Sequence, residues 1–405
     1  MAFWAIALAV ATARFVVEDD SYGSGAHVAR LKVLRDTSTG ARVSVLLNGG
    51  GGVDELWLAP AQASGSQNAS LREVLWSHER NGTTALTNPT WKGRMLLPYA
   101  NRIGNASYRF NGSQLFLPVN DVAGLNNSLH GLLWNRTLSV KTSSATESGA
   151  SVTLSYRFNV VDQPETSGGA GYPFDLAVDI EYRLLIDAER GGGTRFETVI
   201  SATNLDPAGW PLPYFNGFHP YFLCYPCSDA FIVMDKRVGW KHVEVGEGPQ
   251  FPPPRHSNMV PTTQTTDWDM SRVNGSEPIG AAATPPGAPT YMDDELKAMR
   301  AGEALEIDPV LGPIPAHRHF ETRLIDPGTA QSVVLEHDEE MRYLQIFTGA
   351  MASFPDTPID AVVLEPLSAM SDAYNNHDGL HVISPGETYQ TTIAIRVETE
   401  GWKSS

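Results

Sequence analysis

Short strand-like segments cut off by turn residues constrain this chain more than any other feature. ARVSVLLN, SVTLSYRFNVV, DLAVDIEYRLLI, TRFETVISATNL, SVVLEHD, RYLQIFTG and TYQTTIAIRVET alternate polar and apolar residues or run apolar with β-branched side chains. Clusters of Gly, Pro, Ser and Asn separate them, which is the pattern of an antiparallel all-β protein. Helical periodicity is nearly absent, and DDELKAMRAG from Asp293 is the best helical candidate. The economical architecture is a large two-layer sandwich of antiparallel sheets, a single domain over 14–405. Two polar stretches, near 65–87 and 246–289, read as loop insertions at the surface.

With 405 residues the chain can bury a large core, and a net charge of −17 argues against nucleic acid or an anionic membrane as partner. A small neutral ligand fits better. Residues 1–13 open with a short apolar run that ends in Ala11-Thr12-Ala13, which reads as a signal peptide. Seven Asn-x-Ser/Thr sequons, at Asn68, Asn81, Asn105, Asn111, Asn126, Asn135 and Asn274, support passage through the secretory pathway. The expectation is a secreted N-glycoprotein, without a membrane anchor once the signal is removed. The two cysteines, Cys224 and Cys227 in CYPC, are expected to form a local disulfide in such a compartment. A redox pair is the sharper alternative, but the flanking βαβ pattern is missing.

Several motif-like features carry no chemistry. Gly49–Gly52 lacks the Lys-Ser/Thr of a phosphate loop, so it reads as a hairpin connection. His317 and His319 share a strand face without a third metal ligand, and His377 and His381 lie in a Gly/Asn/Asp segment.

Two stretches do carry chemistry. PLPYFNGFHPYF sets His219 among apolar neighbours, with prolines that a helix interior would not tolerate. A histidine titrates near neutrality, at a pKa of about 6.5 before burial, so an enclosed one can deliver a proton. Far downstream, Glu365 closes the apolar run AVVLEPLS, where a carboxylate costs free energy unless it is paired or used. An acid and a base on separate strands are expected to face each other across a sugar-sized gap. Arg102 follows a Pro-Tyr-Ala-Asn turn ending in Asn101, and its guanidinium can donate to adjacent hydroxyls. His130 precedes Gly131, where the backbone can approach closely.

Asn101-Arg102-Ile103, His130-Gly131, the His219 strand and Leu364-Glu365-Pro366 resemble, in order and spacing, the aldose 1-epimerase (galactose mutarotase) family. The resemblance runs from about Val43 to Val397. It implies a β-supersandwich, no metal or organic cofactor, and a free reducing monosaccharide as substrate. It also implies Glu365 as general base, His219 as general acid, and Arg102, His130 and Asn101 as substrate-binding residues. The family's hydroxyl-binding Asp is most similar to Asp293 in Met292-Asp293-Asp294, with Asp294 a competitor. Galactose-active members have His-Gly-Gly and Asn-His-x-Tyr-Phe, whereas this chain has His-Gly-Leu and Phe-His-Pro-Tyr-Phe, a form closer to divergent branches that include the hexose-6-phosphate epimerases.

The implied reaction interconverts α and β anomers by opening and reclosing a hemiacetal. Opening removes the C1 hydroxyl proton while the ring oxygen gains one. A non-catalytic carbohydrate-binding protein on the same fold is one alternative. A hexose-6-phosphate 1-epimerase, using Lys92 and Arg94 for phosphate, is another.

Overall fold

Leu176–Ile186 and Thr194–Asn204 bury every second residue along their length, the period of a strand with one face in the core. The structure is a computed structural model that describes residues 13–61, 70–121, 125–159, 171–234, 240–245, 260–267, 278–279, 293–298, 319–347 and 361–399. The side chains of 240–245, 261–267 and 293–298 are outside the description.

These two strands lie in an eight-stranded antiparallel sheet with the order Ser139–Ala145, Gly149–Phe158, Leu176–Ile186, Thr194–Asn204, Thr388–Thr399, Gln331–Asp338, His319–Asp326, Phe231–Met234. A second eight-stranded sheet runs Pro261–Asp267, Trp240–Val245, Asp293–Ala298, Tyr343–Phe347, Ala361–Leu367, Gly217–His219, Arg94–Leu96, with Tyr221–Leu223 also paired to Ala361–Leu367. A five-stranded sheet begins at Phe15–Ser24 and ends at Arg72–Glu73. Ile180, Tyr182 and Phe196 of the first large sheet share one core with Leu344, Ile346 and Leu364 of the second. The all-β sandwich expected from the alternation is therefore what forms.

Three local expectations need correction. Asp293–Ala298 is a strand, not a helix, held between Trp240–Val245 and Tyr343–Phe347. Six residues are too few to sustain a helix alone, so sheet pairing overrides their local preference. The stretch 65–87 is not only surface loop. It contains the strand Arg72–Glu73, buried Val74 and Leu75, and the helix Gly82–Thr87, whose first turn is capped by the Asn81 side chain accepting from the N–H groups of Thr83 and Thr84. The stretch 246–289 includes the Thr-rich strand Pro261–Asp267, which pairs with Trp240–Val245, since β-branched residues favour the pleated backbone.

Gly49–Gly52 connects Arg42–Leu46 to Val53–Leu58. The guanidinium of the buried Arg94 donates to the Gly49 carbonyl, and a Cβ on Gly49 would stand 2.5 Å from its Nη1. Gly49 and Gly52 make room for this arginine. His319 is exposed at a strand start, His377 caps the helix Ala373–Asn376, and His381 stacks on Tyr389 at 4.0 Å. His317 lies outside the described residues, as do residues 1–12 and the sequons at Asn68 and Asn274.

Candidate active site

Ala361–Leu367 is buried at every position because it has strands on both sides and layers above and below. Its even-numbered Val362 and Leu364 join the main core, whereas Ala361 and Val363 join a small cluster with Tyr221 and Leu223, flanked by Trp76 and Phe347. Alternation sends Glu365 to the second face, level with Gln345 on the neighbouring strand. On the other side the ladder is interrupted. Gly217 pairs with Leu367 and Tyr221 with Val363, and between them Pro220 and Pro366 have no N–H to donate. Carrying the register across that gap brings His219 level with Glu365.

The side chains confirm that placement. Nε2 of His219 is 3.7 Å from Oε2 of Glu365, and Nδ1 of His130 is 3.9 Å from Oε1. The two imidazoles meet edge-on, with centroids 4.9 Å apart. Glu365 is 1% exposed, His130 6% and His219 7%, so the cluster is enclosed but both rings keep a little open surface. The sugar-sized gap expected between acid and base is absent: the three groups form one cluster. The chemistry explains this, because the two oxygens that exchange protons in a hemiacetal are bonded to the same carbon.

His130 reaches the cluster through a tightly folded segment. Its N–H donates to the Asn101 carbonyl at 2.9 Å, and Ser128–Leu129 pairs with Arg102–Ile103. Gly131 follows with φ +78°, and a Cβ there would lie 2.2 Å from the Leu97 carbonyl, so the approach requires glycine. Trp91, Asn101 and His130 adopt φ values of 60°, 50° and 61°, a left-handed region that non-glycine residues seldom enter. Such strain gathers at functional sites held by their surroundings.

Arg102 is fixed rather than loose. Its Nε donates to Asp121 at 2.9 Å and its Nη1 to the Asn101 side chain at 3.2 Å. Asn127 donates to the same Asp121 oxygen, and Asn101 donates to Gln345 at 3.4 Å. Asp121 and Gln345 were not singled out from sequence. Asp121 has no local signal, but Gln345 shows the same one as Glu365, a polar residue inside an apolar strand.

Burial sets the charge state of the imidazoles. Desolvation pulls His219 down to about 4, and desolvation, then His219 and Arg102, hold His130 well below the ordinary histidine range. Both rings are therefore neutral at pH 7 in the free protein. Tyr221 stacks on His219 at 5.3 Å, and its hydroxyl donates to the Thr90 carbonyl at 3.1 Å.

In the backbone register Asp293 stands opposite Phe347 and Asp294 opposite Ile346. The basic pair that might hold a phosphate is committed elsewhere. Lys92 is buried, donates to the Ser77 carbonyl at 2.6 Å, lies 3.5 Å from the Trp76 ring centroid, and is pulled down to about 8 by desolvation. Arg94 is fully buried and donates to the Gly49 and Ala85 carbonyls. Cys224 and Cys227 are joined as a disulfide directly after the strand Tyr221–Leu223. Among the described residues no group of three or more His, Cys, Asp or Glu side chains is arranged to hold a metal ion.

Comparison with known proteins agrees with the fold. The aldose 1-epimerase family model matches residues 58–233. The uncharacterised protein YihR of Escherichia coli is 32% identical over 304 residues, covering 75% of this chain and 78% of YihR. A galactose mutarotase-like protein from Clostridium acetobutylicum superposes with a TM-score of 0.68 at 15% identity, over 96% of this chain and 99% of that one. Galactose 1-epimerase from Lactobacillus acidophilus gives 0.65 at 14% identity, over 95% and 99%. These two likenesses are likenesses of fold.

Proposed function

The chain belongs to the aldose 1-epimerase family, and from that premise we propose that it interconverts the α and β anomers of a free hexose such as glucose or galactose. The observation that carries the reading is the 3.7 Å separation of His219 and Glu365 on neighbouring strands of one sheet. In the ring-closed sugar, Glu365 takes the proton from the C1 hydroxyl while His219 gives one to the ring oxygen, and the C1–O5 bond breaks. The aldehyde turns about C1–C2, and the same groups run in reverse to close the ring on the other face. The reactive form is the minor one with His219 protonated and Glu365 ionised, and the pair then holds one proton throughout, passed from His219 to Glu365 through the sugar and back. Arg102, His130, Asn101 and Asp293 hold the hydroxyls, so the open chain stays in place between opening and closing. The chemistry uses no metal or organic cofactor.

The close His219–Glu365 contact favours catalysis over a merely sugar-binding protein. The burial of Lys92 and Arg94 favours a free sugar over a sugar phosphate. Polarimetry of freshly dissolved α-glucose and α-galactose tests the reading, with glucose 6-phosphate as the competitor. Faster decay with the free sugars is expected; no acceleration with any of them overturns it, and a preference for the phosphate moves the substrate class.

We also propose that the chain is a secreted glycoprotein. The sequon residues Asn81, Asn105, Asn111, Asn126 and Asn135 are all exposed, and the Cys224–Cys227 disulfide suits an oxidising compartment. Digestion of the protein with an N-glycosidase should lower its apparent mass.

A further inference from the structure

The catalytic cluster is embedded in a continuous run of rings. Trp134 meets Trp91 edge-on at 5.3 Å, and Trp91 meets His130 at 5.0 Å with the planes 57° apart. His130 then meets His219, and His219 stacks on Tyr221, which meets Trp76 at 5.6 Å. Trp91 is the one indole in this run that directly touches an imidazole of the cluster, and it is half-buried rather than sealed in the core.

Its backbone is equally telling. A φ of 60° is a conformation that bulky side chains rarely adopt, so Trp91 is held there by its surroundings. Its N–H donates to the Asn88 carbonyl at 3.1 Å, and its carbonyl accepts from Arg94 N–H at 3.1 Å. Gly93 N–H donates to the carbonyl of His219 at 2.8 Å, so the backbone two residues on is tied to the residue read as the acid. With Trp134 behind it, the indole is fixed relative to both imidazoles.

We propose that Trp91 is the substrate-positioning platform of the site. This rests on the anomer-interconverting function above. Its open indole surface takes the apolar face of a pyranose, the face carrying the C3 and C5 hydrogens in glucose and galactose, while C1 and the ring oxygen meet Glu365 and His219. Those hydrogens keep their places as the C1–O5 bond opens and closes. The contact is therefore made equally in the ground state and the transition state, and it sets KM rather than kcat.

The test is a pair of variants, Trp91→Leu and Trp91→Phe, measured by mutarotation kinetics and by tryptophan fluorescence with galactose as the probe. Trp91→Leu should raise KM about tenfold with kcat within about twofold, and Trp91→Phe should recover most of the loss. Galactose should quench the wild-type fluorescence, and the quench should be absent in Trp91→Phe at unchanged melting temperature. An unchanged KM in Trp91→Leu, or a fall in kcat alone, overturns the platform. An active wild type with an indifferent Trp91 would sink only this inference. An inactive wild type whose Trp91 fluorescence still responds to galactose would sink only the catalytic function, and no activity with no quench sinks both.

Discussion

The two large sheets treat their carboxylates in opposite ways. On the first, Arg183 reaches both Glu181 and Glu197 at 2.6 Å, and Arg323 reaches Glu398 at 2.6 Å and Glu321 at 3.1 Å. Burial pushes Glu321 and Glu398 up, but Arg323 and Arg396 outweigh it and hold both below the usual carboxylate range. A guanidinium does not release its proton, so these carboxylates stay ionised and exchange nothing. On the second sheet, Glu365 is more deeply buried and lies beside two imidazoles, groups that, unlike a guanidinium, can gain and lose a proton. The chemistry of the neighbour, more than burial itself, separates a structural carboxylate from a reactive one.

Replacing the imidazole is the strongest way to break this contrast. His219→Gln should fold with an unchanged melting temperature and lose about 10²- to 10⁴-fold in kcat/KM. Near-normal rates would mean that the acid is another group. The pH profile sharpens the same point. Because burial holds His219 down to about 4, its acid form is scarce at pH 7, so kcat/KM should rise about tenfold per unit as pH falls from 8 to 6. A flat profile over that range would contradict the charge state assigned to the ring.

Stability should move the other way. His130, His219 and His337 have folded pKa values below the unfolded value of about 6.5, so the unfolded chain takes up protons first. Their contribution is fully present above about pH 6.5 and is lost as pH falls toward the folded values, which thermal unfolding between pH 7 and 5 would read. The smallest effect belongs to the first sheet. Arg183→Met should cost less than about 1 kcal/mol of stability by denaturant unfolding and leave activity unchanged, as exposed ion pairs usually do.

Much of this was legible in the sequence, for physical reasons. Alternation over Leu176–Ile186 and Thr194–Asn204 is a direct image of a half-buried sheet, so the fold class follows from it. Glu365 and His219 were visible because a titratable group in an apolar run is costly and calls for a use. Their closeness was not visible, since it depends on the register across Pro220 and Pro366, which sequence does not encode locally. Asp293–Ala298 was misread because helix preference over a few residues is weaker than pairing on both sides. Trp91 was missed for a third reason: its importance lies in a backbone angle and a ring contact, and neither leaves a mark on residue type.

Anomer exchange followed by NMR at equilibrium, comparing the wild type with Glu365→Gln, reads the central claim without coupling enzymes or net turnover. The substitution keeps the volume of the side chain and removes only its capacity to accept the C1 hydroxyl proton. Exchange between the α and β signals of the preferred hexose should be fast with the wild type and fall about 10²- to 10⁴-fold with the variant. Exchange at the wild-type rate with a folded Glu365→Gln protein would contradict the account.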